Sequence, residues 1–136
     1  MIYKNILINI TANVICHDAS INNVNVSLKI VNLSNNKQIY LDHVSINLLK
    51  DNDTTINFYW FADRAGRFDI IVEMDPLNLI EESKENNNEK NINITIHDWP
   101  DLLVKEIIFT SEKIMEFEEV KFDVVIENIG DGNATD

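Results

Sequence analysis

At 136 residues the chain has room for one ordinary domain and a fragment of a second, but not for two full ones. Its 11 basic and 23 acidic residues give a formal charge of −12, which repels phosphate backbones and anionic lipid and makes nucleic acid and the membrane surface poor partners. A hydrophobic content of 45% with 3 glycines and 2 prolines excludes a disordered chain, and a single cysteine, Cys16, excludes an internal disulfide.

Apolar residues recur at every second position, the period of a half-buried strand. Ile6, Ile8, Ile10, Ala12 and Val14 share one face of the first segment, with Asn5, Leu7, Asn9, Thr11 and Asn13 on the other. Cys16 continues this stretch and reads as a small buried hydrophobe. Past a turn at His17 to Asn23, Val24, Val26, Leu28 and Ile30 alternate with polar residues until Ser34-Asn35-Asn36-Lys37 ends the strand. Ile39 and Leu41 stand in one register and Val44, Ile46 and Leu48 in the other, which predicts a bulge or a crossing between sheets near His43.

Asp51-Asn52-Asp53 makes the next turn, and Ile56, Phe58 and Trp60 then alternate with Asn57 and Tyr59. After a loop through Gly66, Phe68, Ile70, Val72 and Met74 resume the pattern until Pro76, which has no amide hydrogen to donate to a ladder. A polar loop runs to Lys90, a strand follows through Ile92, Ile94 and Ile96, and Trp99-Pro100 closes the unit. The pattern restarts with Leu102, Val104, Ile107 and Phe109 and again with Val120, Phe122, Val124 and Ile126. Many short strands without a convincing helix predict an all-β, immunoglobulin-like sandwich of about seven antiparallel strands.

The string from Trp60 through Gly66 to Asp75, Pro76, Asn78, Ile80, Glu82, Glu85, Asn87 and Asn88 resembles the end of a CARDB domain, a cell-adhesion-related domain of bacterial and archaeal surface proteins. Pro100-Asp101-Leu102 and Asn128-Ile129-Gly130 resemble the start of another. The resemblance implies an offset frame: residues 1–99 as a repeat lacking its usual first strand, and residues 100–136 as the first two strands of a successor. Those strands are expected to complete the first sandwich or to swap with a neighbour through residues 100–110.

Asp75, Asn78, Glu82 and Glu85 offer the hard oxygen ligands that calcium takes, in a segment with six acids and two lysines between Glu73 and Lys90. Their spacing is not that of an EF-hand, and turn chemistry accounts for the same residues, so calcium is the weaker expectation and no other cofactor is implied. His17, His43 and His97 lie in separate segments without partners at zinc-ligand spacing. No nucleophile elbow, zincin helix motif, phosphate loop or C-x-x-C is present, so the expectation is a non-catalytic chain.

Six N-x-S/T acceptors, at Asn9, Asn25, Asn32, Asn52, Asn93 and Asn133, exceed the roughly two that chance gives at this composition. They point to an extracellular, cell-surface location, with the export signal outside this chain because Met1 to Asn13 lacks signal-peptide character. The resemblance implies an adhesive, structural module contacting neighbouring immunoglobulin-like modules, surface proteins or glycans. A strand-donating subunit of a surface polymer and a carbohydrate-binding accessory module of a secreted enzyme are the rival readings, the latter with Tyr3, Tyr40 and Tyr59 as its aromatics.

Overall fold

The computed structural model describes residues 1–109 and 113–134, which divide into two compact units, Met1–His97 and Asp98–Asp136. The first unit holds seven strands: β1 (Ile2–Tyr3), β2 (Ile6–Val14), β3 (Ile21–Asn32), β4 (Lys37–Leu48), β5 (Thr54–Ala62), β6 (Gly66–Met74) and β7 (Glu89–His97). Five of them form a sheet in the order β1-β7-β6-β3-β4, and β2 and β5 form a second, two-stranded sheet. The strand ladders within the unit are antiparallel except β1 on β7, where Ile2 faces Ile96 and Tyr3 faces His97, and an isolated parallel bridge joins Cys16 to Lys50. This is the immunoglobulin-like β-sandwich that the alternating sequence predicts.

One hydrophobic core joins the two sheets. Ile10, Val14, Ile56, Phe58, Trp60 and Ala62 come from β2 and β5, and Val26, Leu28, Ile30, Phe68, Ile70 and Ile96 meet them from the five-stranded sheet. Trp60, 3% exposed, meets the fully buried Phe68 edge to face at a ring-centroid distance of 5.3 Å, the geometry in which the edge of one ring approaches the electron-rich face of the other. Cys16 packs against this core half-buried. Tyr40 donates its hydroxyl to the Tyr59 carbonyl at 2.9 Å; burial, and then the charge of Asp42, hold that hydroxyl above the ordinary phenol range.

The register change expected near His43 is absent. Leu41 through Val44 pair continuously with Lys29 through Val26, and the irregularities of the β3–β4 ladder fall between Ile21 and Val24 and between Ile30 and Val31. Tyr40, Val44 and Ile46 turn toward the core on one face, while Leu41 is an apolar residue on the solvent face beside Lys29. The apparent flip comes from that exposed leucine and from Ile39, which is extra to the ladder where it shifts.

Ser27, in the middle of β3, is 1% exposed and its Oγ has no hydrogen-bond partner among the described residues. A hydroxyl desolvated without a partner is a net loss. Ser27→Ala is therefore expected to stabilise the first unit by about 1 kcal/mol, read as a higher urea midpoint with an unchanged slope.

The second unit contains β8 (Leu102–Phe109) and β9 (Phe122–Asn128), an antiparallel pair forming a sheet of its own. The ladder shifts between Val104 and Glu106, which explains why its apolar side chains change parity between Val104 and Ile107. Val120 precedes β9 rather than belonging to it.

Candidate functional site

The acidic segment after β6 folds on its own backbone. Asp75 and Asn78 adopt left-handed φ values of 44° and 50°, a region that Asp and Asn enter more readily than other non-glycine residues. Asp75, 8% exposed, donates its backbone N–H to Asn25 O at 2.7 Å and accepts the Ile80 N–H on Oδ2 at 2.7 Å. Its carbonyl accepts the Asn78 N–H at 2.8 Å. Held in this way, the chain returns Ile80 to the edge of the core.

The second half of the segment closes by the same means. Glu85 Oε1 accepts the Glu82 N–H at 2.8 Å, and Asn88 Nδ2 donates to Glu82 Oε2. A single 3-10 turn, Glu85–Asn87, leads into β7, and Asn88 O accepts the Met74 N–H at 2.8 Å. Asn87 is exposed and Pro76 half-buried.

Glu82, Glu85 and Asn88 are thus brought together, whereas Asp75 is bonded to Ile80 apart from them and Asn78 is exposed, and among the described residues no three His, Cys, Asp or Glu side chains converge as a metal would need. The histidines lie apart. His17 Nδ1 is 3.1 Å from Asp51 Oδ1, His97 meets the Tyr3 ring at 6.0 Å, and His43 is exposed on β4.

The remaining positions of the same motif serve the core. Gly66 has a φ of 146°, and a Cβ there would lie 3.3 Å from Phe68 Cζ, so glycine lets β6 begin directly beneath the ring that Trp60 packs on. In the second unit Asn128 has an equivalent organising role. Its Oδ1 accepts from Asp101 N at 3.0 Å and Gly130 N at 3.1 Å, and its Nδ2 donates to Gly132 O at 2.7 Å. The P-D-L and N-x-G elements therefore meet at one end of the β8–β9 pair.

The outer face of the β2–β5 sheet is the feature most available to a partner. Register places Leu7 opposite Phe61, Asn9 opposite Tyr59 and Thr11 opposite Asn57. Leu7, Tyr59 and Phe61 are 63%, 55% and 53% exposed, a contiguous apolar and aromatic patch bordered by amides. Of the three tyrosines, only Tyr59 is on this face; Tyr3 packs on His97 and Tyr40 bonds the β5 backbone. Phe61 was identifiable by its parity with Tyr59, because a residue two positions along a strand points the same way.

A second feature lies along the other edge of β2. A groove of about 690 Å³ is lined by residues 10–18, by Ile70, Val72 and Met74 of β6, and by the polar segments 82–84 and 87–92. β2 pairs with β5 alone, so its other edge, which borders this groove, carries no strand among the described residues.

Of the glycosylation candidates, Asn9, Asn52 and Asn93 are exposed, and so is Asn133, although its Thr135 lies outside the described residues, as does Thr110 in the expected swapping segment 100–110. Asn25 and Asn32 are half-buried, and Asn32 Oδ1 is taken by Ser34 N at 2.8 Å and Ser34 Oγ at 2.6 Å.

The CARDB family model matches residues 4–92. Among curated proteins none matches the chain. A solution NMR structure of the CARDB domain of a Pyrococcus furiosus protein superposes with a TM-score of 0.60 at 20% identity, covering 70% of this chain and 83% of that one. A crystal structure of the same domain in complex with di-metal ions gives a TM-score of 0.56 at 20% identity, covering 70% of this chain and 82% of that one. At this identity the likeness is one of fold.

Proposed function

Because the chain belongs to the CARDB family, we propose that it is a non-catalytic adhesion module of a cell surface whose contact face is the outer side of the β2–β5 sheet. The exposed group Leu7, Tyr59 and Phe61 carries the reading. Aromatics recruited to hold a sandwich together point inward, as Phe58 and Trp60 do, whereas these lie on the face away from the core. Aromatic side chains with polar neighbours are what protein contact surfaces are enriched in.

Glycans are the second class of partner this face suits. Tyr59 and Phe61 stand about 7 Å apart along one strand, a spacing over which two sugar rings can stack, with the Asn9 and Asn57 amides beside them. A glycan attached to Asn9 would cover Tyr59, its cross-strand partner. Glycosylation at Asn9 and adhesion through this face therefore exclude each other, and Asn52 and Asn93 are the better acceptors for a surface form of the protein.

The test is adhesion of protein-coated beads to cell-envelope preparations of the source organism, with a glycan array in parallel. The double variant Tyr59→Ser/Phe61→Ser, chosen at exposed positions so that the core is untouched, is expected to lower adhesion about tenfold, the equivalent of about 1.4 kcal/mol. Undiminished adhesion by a variant with an unchanged far-UV spectrum would remove this face from the function. Array binding lost in the same variant would assign the partner as carbohydrate.

A further inference from the structure

We propose that the outer face of the β2–β5 sheet takes a neutral polysaccharide, laid along the strands with its sugar rings on Tyr59 and Phe61 and its hydroxyls on the amides of Asn57 and Asn13. The inference rests on the reading of this face as the contact surface and narrows the partner to one class.

Charge is the first observation. Neither β2 (Ile6–Val14) nor β5 (Thr54–Ala62) contains a charged residue, in a chain of which 25% is charged and whose formal charge is −12. Burial accounts for this only on the inward half of each strand. The outer face of the five-stranded sheet is also turned away from the core, and it carries Lys29, Arg67, Asp69, Glu73 and Glu89. An acidic ligand would approach against the field of the whole chain, and a basic one would find no carboxylate on this face to pair with. An uncharged ligand meets neither obstacle.

Order across the strands is the second observation. Thr11 Oγ1 donates to Asn57 Oδ1, and Thr55 Oγ1 donates to Asn13 Oδ1, each at 2.9 Å. These bonds tie two successive outward rungs of the ladder. Each amide has its carbonyl oxygen engaged, while its Nδ2 has no partner among the described residues and keeps two N–H donors. The threonine oxygens keep lone pairs that accept. Sugar hydroxyls both donate and accept, so a row of fixed donors and acceptors suits them. Side chains already held in place lose little further freedom on binding.

The shape of the strip agrees. Its four rungs run from Leu7 opposite Phe61 to Asn13 opposite Thr55, about 7 Å apart and roughly 20 Å from first to last. Exposed aromatic rings occupy one end and amides the other. A pyranose has the matching division, with C–H groups on its faces to stack on an aromatic ring and hydroxyls around its rim. Eight outward side chains fall well short of the about 20–30 residues a side of a standard protein interface. The strip is narrow for a protein and wide enough for a glycan chain.

The test measures bead adhesion to envelope preparations that have been oxidised with periodate, which cleaves vicinal diols, or digested with protease. Periodate is expected to lower adhesion about tenfold, to the level of Tyr59→Ser/Phe61→Ser. Protease, and salt between about 50 and 500 mM, should leave it in place. Asn57→Asp keeps the shape and the acceptor for Thr11 but removes two donors, and should lower adhesion about fivefold. In NMR spectra of the unaltered chain, de-proteinised envelope polysaccharide should shift the side-chain amide signals of Asn13 and Asn57 and leave those of Asn91 and Asn93, on the other sheet, where they are. That measurement needs no variant to fold. Adhesion through Tyr59 and Phe61 that survives periodate would overturn the proposal, with the face still standing as the contact surface of a protein partner. Adhesion that rises with salt, the sign of an acidic glycan screened from this chain's charge, would overturn it too, as would a polysaccharide that leaves the Asn13 and Asn57 amides unshifted. Adhesion undiminished in Tyr59→Ser/Phe61→Ser would remove the face itself, and the proposal with it.

Discussion

Replacing Phe68 by alanine is expected to cost the first unit about 3–5 kcal/mol, enough to leave a domain of this size marginally folded at room temperature. Phe68 is fully buried at the base of β6, meets Trp60 edge to face, and is paired across both neighbouring strands, with Asn32 on β3 and Ile94 on β7. Truncation removes the ring and leaves a cavity that the two ladders of β6 prevent from collapsing. Urea denaturation followed by tryptophan fluorescence reads the effect, since Trp60 reports the same contact. Phe68→Leu, which keeps most of the volume, should recover more than half of the loss. A midpoint for Phe68→Ala within experimental error of the parent would mean the core is not organised around this pair.

Asp75→Ala is expected to be the most damaging change outside the core, at about 2–4 kcal/mol. The carboxylate accepts the Ile80 N–H while itself 8% exposed, and loss of a charge-assisted hydrogen bond of this kind accounts for about 1.5–3 kcal/mol. Alanine must also hold the φ of 44° that Asp75 adopts, which adds about 1 kcal/mol of backbone strain. Asp75→Asn keeps an acceptor and tolerates the same backbone, so it should cost less than half as much. Because the carboxylates of Asp75, Glu82 and Glu85 are committed to backbone and amide groups of their own loop, millimolar calcium is expected to leave the thermal midpoint of the parent in place. A clear upward shift with calcium, lost in Asp75→Asn, would instead make this loop a cation site.

The strand pattern was legible because burial on one face writes itself into every second residue, as at Ile8, Ile10 and Ala12 against Asn9, Thr11 and Asn13. It fails where a single residue departs from the rule for its own reasons. Leu41 is apolar but faces water, and alternation alone converts it into a register change near His43 that the ladder does not have. By contrast, the parity break between Val104 and Ile107 is a true shift of the β8–β9 ladder. β1 escapes any periodic reading: two residues cannot show a period, and their parallel pairing with β7 depends on a chain ninety-odd residues away.

For the sites the division is similar. Asp75, Pro76 and Asn78 announce a turn because their side chains and φ preferences are local properties. That Glu82, Glu85 and Asn88 would spend themselves on each other depends on how the loop closes. Phe61 could be assigned to the face of Tyr59 by counting. That β2 pairs with β5 alone among the described residues leaves no mark on the strand's own residues, because pairing is a property of topology; only the resemblance, with its missing first strand, raises the expectation of an open sheet.

The short pairing of β1 with β7 determines how the first unit would respond to tension. In a parallel pair, pulling one strand by its beginning and the other by its end loads the rungs in shear, so they resist together rather than peeling one after another. Here the rungs are few: Ile2 beside Ile96, Tyr3 beside His97, and Lys4 N donating to His97 O at 2.9 Å. Beyond them Asn5 N donates to Ala62 O at 2.6 Å and hands the load to β2 and its nine-residue ladder. A module pulled at its two ends would slip its first clasp at low force while the sandwich held, a small, recoverable extension before any core is exposed.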